Sequence, residues 1–143
     1  MTQENKQLLL KDLCARLPYN VMVDYDGNIY VLNEIDPACK DIDYITVRIQ
    51  DVERLMYAKS IMIENIKPYL RPMSSMTEEE KNEVAKLGVC YDGAFHNDVY
   101  DVGTSMEEAF LAISWLIERH FDINYLINKG LALEAKEGMY KNE

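Results

Sequence analysis

A run with a two-residue period, broken by an Asp-Gly pair, constrains this chain more than any other feature. Val21, Val23 and Tyr25 alternate with Met22 and Asp24, Asp26-Gly27 follows, and Ile29–Leu32 resumes the apolar pattern. Strands expose alternate residues to opposite faces, and Asp-Gly is the dipeptide of the tightest hairpins, because both of its residues tolerate positive φ. The spacing therefore predicts an antiparallel hairpin. Tyr44–Ile49 repeats the alternation, with Ile45, Val47 and Ile49 on one face and Tyr44, Thr46 and Arg48 on the other. Between them, residues 33–43 carry Pro37 and several acids and read as a loop. Residues 51–54 read as a turn. Leu55–Tyr57 and Ser60–Ile63 read as the next strand or two, although Val52, Leu55, Met56 and Lys59 also fit a helical period.

Helical patterns flank this β region. Leu9, Leu10, Leu13, Cys14 and Leu17 recur at helical spacing, and Pro18 ends the helix, which predicts a helix over 3–17. Glu64–Leu70 reads as a short helical turn containing Pro68. Thr77 followed by Glu80 is a capping box, opening a helix that runs to about Leu87 before Gly88. Ser105 with Glu108 repeats the box. Behind it lies an apolar face of Ala109, Phe110, Ala112, Ile113, Leu116 and Ile117, with Trp115 off its centre but still expected in the core. A short last helix is expected after Asp122, ending at Lys129-Gly130. Leu131 and Leu133 are expected on the core and residues 136–143 as a frayed tail. The predicted fold is α+β: an N-terminal helix, a small antiparallel β-meander or partly open barrel, then C-terminal helices. Residues 1–135 are expected to form one domain, since 143 residues suit a single core.

The formal net charge is −10. Backbone-directed nucleic-acid binding rests on Lys and Arg releasing counterions, so extended nucleic acid is not an expected partner. A basic protein surface remains compatible. Much of the acid sits at helix starts, where it caps orphan N–H groups. Cys14, Cys39 and Cys90 are odd in number and widely spaced, which argues against a disulfide framework or structural zinc site and fits reduced thiols in the cytoplasm. No signal peptide is read at the N-terminus, and no apolar run is long enough to span a membrane.

Neither histidine has a catalytic or metal-binding spacing. His96 lies near Asp92, Asp98 and Asp101, a set that turn chemistry also explains. His120 falls in the last turn of its helix, where a cation suits the dipole. No phosphate-binding glycine loop occurs. The reading thus leans away from an enzyme, and no cofactor is expected. Ten tyrosines are many for this length, and six fall in or beside the β region. Tyrosine suits half-buried strands and is also enriched at binding surfaces. Tyr44, Arg48, Arg54, Tyr57, Tyr69 and Arg71 are the candidate ligand-binding residues, since aromatic faces and guanidinium groups together hold anions.

Three strings extend the reading: LLLKDLCARLPYNVMV at 8–23, IENIKPYLRPMSSMTEEEK at 63–81 and IERHFDINYLINKGLALEAKEGMY at 117–140. Together they resemble a family of small proteins of gut Bacteroidales, their prophages and phages. The family carries no assigned activity, so the resemblance implies no site residues. It implies a cytoplasmic accessory protein linked to mobile elements, with the three strings as scaffold. The expected function is non-enzymatic binding of a host or phage protein. Binding of a small anionic ligand, such as a nucleotide signal, is the alternative.

Overall fold

The computed structural model describes residues 1–36, 45–52, 58–87 and 106–140. The fold is α+β. The described chain divides into two compact units, residues 1–70 with 124–143 and residues 71–123.

The first unit begins with helix α1, Gln3–Arg16. Thr2 caps it by accepting the Asn5 N–H at 3.1 Å, and a 3-10 turn at Leu17–Tyr19 carries Pro18. Strands β1 (Met22–Tyr25), β2 (Asn28–Ile35), β3 (Thr46–Asp51) and β4 (Ala58–Met62) then form an antiparallel meander. The Asp26-Gly27 hairpin is present, with φ of 52° and 81°, the doubly positive geometry that this dipeptide favours. Strand β2 continues to Ile35, beyond the expected start of the loop. Leu32 pairs with Ile49 and Glu34 with Arg48, so Asn33 is the extra residue of a bulge, which sharpens local twist. In the ambiguous 52–62 stretch, Ala58–Met62 is strand; Leu55–Tyr57 lie outside the described residues.

The chain then crosses to the other side of the sheet. After a 3-10 turn at Ile63–Asn65 comes β5 (Lys67–Leu70), antiparallel to β1, and finally β6 (Leu133–Glu134), parallel to β5. The sheet order is β4-β3-β2-β1-β5-β6. The short helical turn expected at Glu64–Leu70 is thus confined to its first residues, and the rest is strand. Laid flat, this register would put Met62 and Lys67 about 30 Å apart, across four strand spacings and along seven residues. Five steps of chain reach at most about 18 Å. The open sheet must therefore coil strongly to bring β4 and β5 within reach.

The coiled sheet and α1 enclose one apolar core. Leu9 and Leu13 from α1 meet Val21, Val23, Leu32, Val47, Ile49, Ile63, Ile66 and Leu70. Leu126, Leu131 and Ala132 close it from the C-terminal segment, while Leu133 is half-buried. The short last helix reduces to hydrogen-bonded turns. Leu131 N–H reaches Leu126 O and Gly130 N–H reaches Ile127 O, with Gly130 at φ 74°, the left-handed stop read in the sequence.

Two polar ties hold this core together. The Asp12 carboxylate accepts Arg16 Nε at 2.7 Å and Nη2 at 3.2 Å, and Asn124 Nδ2 at 2.9 Å. The Arg16 and Asp12 side chains are 0% and 1% exposed. Both residues lie off the predicted apolar stripe of α1, so the helical spacing alone does not predict their burial.

The second tie is Tyr140. In an antiparallel ladder, hydrogen-bonded pairs alternate with non-bonded ones. Pro68, which has no N–H, sits opposite Val23, so the flanking positions must carry the bonds between β1 and β5. Asp24 pairs with Lys67 on one side. On the other, β5 leaves β1 to pair with β6, and the Tyr140 hydroxyl fills the gap. It accepts the Met22 N–H at 2.8 Å and donates to Tyr69 O at 2.8 Å. It stands where a direct Met22–Tyr69 ladder bond would run. The expected frayed tail is therefore pinned as far as Tyr140, because its hydroxyl satisfies two backbone groups that β5 leaves unpaired.

Tyr140→Phe should cost about 1–3 kcal/mol of stability in urea unfolding at neutral pH, because it strands a buried donor and acceptor. Burial raises the Tyr140 pKa above its ordinary 10.0, against the lowering effects of the Met22 N–H and Arg16. The folded state thus holds the phenolic proton longer than the unfolded state does. The stabilisation is complete below pH 10 and is lost as pH rises beyond it. Unfolding curves of wild type and Tyr140→Phe should therefore converge above pH 10. Asp12→Ala should cost about 3–5 kcal/mol, since it removes the carboxylate that takes the buried Arg16 guanidinium at 2.7 and 3.2 Å.

Candidate functional site

The second unit is held by stacked arginines and aromatics. Helix α2, Glu78–Ala85, opens with the capping box read from sequence: Thr77 Oγ1 accepts the Glu80 N–H at 3.2 Å, and Glu80 Oε1 accepts the Thr77 N–H at 3.1 Å. The Glu80 carboxylate also takes both Arg71 Nη groups, at 2.7 and 2.6 Å. The Arg71 guanidinium lies 4.2 Å from the Phe121 ring centre. Phe121 stacks on Trp115 with centroids 6.0 Å apart, and Arg119 covers Trp115 at 4.1 Å while facing Glu83 at 3.7 Å. Two acids of α2 thus steer two arginines onto an aromatic pair.

Helix α3, Met106–Glu118, supplies Trp115 and ends beside this stack. Its C-terminus is a Schellman motif: Phe121 N–H reaches Leu116 O and His120 N–H reaches Ile117 O, each at 3.0 Å. His120 takes the left-handed position, φ 63°, that glycine usually fills. Its backbone then exchanges hydrogen bonds with the Arg71 strand, Arg71 N–H to His120 O at 2.7 Å and Asp122 N–H to Arg71 O at 2.8 Å. The helix-end reading of His120 thereby acquires a geometric basis. His96 and its neighbouring aspartates, and the Ser105 cap, lie outside the described residues.

Of the six candidate ligand-binding residues, Arg48, Tyr69 and Arg71 lie among the described residues. Tyr44, Arg54 and Tyr57 lie outside the described residues. Arg48 is exposed on β3 and faces Glu34 at 3.8 Å, an exposed pair of small energetic weight. Tyr69 is buried on β5, separated from β3 by β1 and β2. Its hydroxyl lies 3.5 Å from Asp24, Lys136 covers its ring, and burial followed by the Asp24 charge raises its pKa. Arg71 belongs to the second unit and is engaged by Glu80.

Two other features are better placed to meet a partner. In the first unit, a groove of ≈ 620 Å³ runs between the β1–β2 hairpin, the end of β3 and residues 136–139. Met22, Ile29, Val52 and Met139 give it apolar walls, and Asp51, Lys136 and Glu137 give it charge. Among the described residues, no group of three or more His, Cys, Asp or Glu is placed to hold a metal ion. No helix among them is long and apolar enough to cross a membrane.

In the second unit, α3 buries Ala112, Trp115 and Leu116 and turns other apolar residues outward. Met106 is 90% exposed and Phe110 69%, with Leu111 and Ile113 also exposed. The predicted apolar face was thus too wide: the core takes the Ala112–Leu116 side, and Phe110 and Ile113 are left facing solvent. The sequence shows that α3 is apolar around most of its circumference, but only the packing shows which side is covered. Comparison with family models, curated proteins and solved structures gives no match.

The Glu80 carboxyl is driven upward by burial, but hydrogen bonds and charge from Arg71 together with the bonds to Thr77 hold it below its ordinary 4.5. Its stabilising contribution is present above pH 4.5 and disappears as pH falls through the lower folded value. Glu80→Gln should therefore lower stability at pH 7. The gap to wild type should shrink in thermal unfolding below pH 4.5.

Proposed function

We propose that this chain is a non-enzymatic accessory protein that binds another protein through the outward face of α3. One observation carries the reading. Met106, Phe110 and Ile113 place large apolar side chains in solvent along one side of the helix, and Leu111 is exposed beside them. Isolated exposed apolar residues are ordinary, but a contiguous set on one helix is the mark of an interaction site. Aromatic and methionine side chains are also the types enriched at interface centres. A host or phage protein in the cytoplasm is the proposed partner. That setting rests on the resemblance of the strings at 8–23, 63–81 and 117–140 to Bacteroidales phage and prophage proteins.

A second reading, binding of a small anionic ligand such as a nucleotide signal, is favoured by the groove of ≈ 620 Å³, a volume typical of small-molecule sites. Its charge supports it less well. Among the described lining residues, Lys136 stands with Asp51 and Glu137, one cation to two carboxylates. A polyanion would meet repulsion there, which is why protein binding is preferred.

Capture from host lysate with wild type and Phe110→Asp, followed by titration of the purified partner, tests the assignment. The expected result is a protein whose affinity falls at least tenfold in the variant, with its melting temperature unchanged because Phe110 is outside the core. If no captured protein depends on Phe110, and cyclic nucleotides raise the melting temperature instead, the small-ligand reading replaces it.

A further inference from the structure

The outward face of α3 carries a geometric pattern as well as exposed apolar area. Met106, Phe110, Ile113 and Ile117 follow one another at spacings of four, three and four. That is the seam spacing by which one helix receives another lengthwise, each side chain seating among those of the facing helix. The helix has 13 residues, so the seam is about 20 Å long. Glu107, Ser114 and Glu118 follow one border of this seam. On the other side the helix turns into the core through Ala112 and Leu116. The cation nearest the seam's end, Arg119, is drawn away from it: its guanidinium lies over Trp115 and faces Glu83.

We infer that the occupant of this seam is an amphipathic helix of the partner protein, with an apolar stripe flanked by Lys or Arg. The inference rests on the protein-binding reading above and specifies its partner. A helix matches both the seam's length and its spacing, which the extended backbone of a strand-forming peptide does not. Basic flanks follow from the acidic border and from a chain whose net charge is −10. A second copy of this chain fits less well. It would bring an acidic border against an acidic border, with ten negative charges on each side.

A displayed library of helical peptides, selected on wild type and counter-selected on Phe110→Asp, tests the inference. The expected winners carry apolar residues at three- and four-residue spacing with Lys or Arg beside them. Their affinity should fall at least tenfold in Phe110→Asp and should weaken as salt rises. Phe110-dependent winners that are extended, neutral or acidic would overturn the helix inference while leaving protein binding in place. A Phe110-dependent dimer in sedimentation velocity would overturn it in favour of a second copy. If no selected peptide and no captured protein depends on Phe110, the inference and the reading beneath it both fall.

Discussion

The Tyr140 hydroxyl occupies the gap between β1 and β5, and the first unit depends on that placement. Strand β5 has to serve two neighbours, antiparallel β1 and parallel β6, and it parts from β1 after only two paired positions. Without a substitute, the parting would leave Met22 N–H and Tyr69 O unpaired beside the core. A phenol is long enough to reach in from the C-terminal segment and can accept and donate at once. The same segment forms one wall of the groove through residues 136–139. Asn124 on Asp12 makes a second long closure, 112 residues apart in sequence, and Met22 to Tyr140 spans 118. Contacts this distant carry a loop-closure cost that the local Asp12–Arg16 pair, four residues apart, does not.

Charge in this chain divides into a structural part and a presented part. Asp12 is spent on buried Arg16, and Glu80 on Arg71 and the start of α2. Lys6 is held by Glu64 at 2.8 Å, joining α1 to the turn before β5. Each such pair cancels in the formal net charge and holds both its charges in contacts within the fold. The acids bordering the α3 seam differ, because they stand next to exposed apolar surface. Binding is therefore argued from where Glu107 and Glu118 lie, and the total of −10 only reinforces it.

Features set by neighbours in sequence were legible in advance. The Asp26-Gly27 hairpin, the Pro18 end of α1, the Thr77–Glu80 box and the Gly130 stop each follow from the conformational needs of a few adjacent residues. Features set by remote partners were not. Arg16 sits at a polar position of the α1 pattern, and its burial requires both Asp12, one turn earlier, and Asn124, far away. Pro68 argues against a strand until β6 is known to begin pairing only at Tyr69, beyond the proline's missing donor. Tyr140 looks like one of many tyrosines in a charged tail. Of the candidate site residues, Tyr69 and Arg71 proved to be tied into separate units, since residue type alone does not reveal which cations are already engaged. The spacing of Phe110 and Ile113 was visible, but a core and a docking face produce the same apolar pattern.

Amide hydrogen exchange at Met22, followed by NMR, tests the central tie most directly. If the Tyr140 hydroxyl completes the β1–β5 ladder, the Met22 amide should be as protected as the Val23 amide beside it, with both opening only as the first unit unfolds. Exchange of Met22 near the rate of an unstructured amide, alongside a protected Val23, would show that the gap is open to water and would contradict the account.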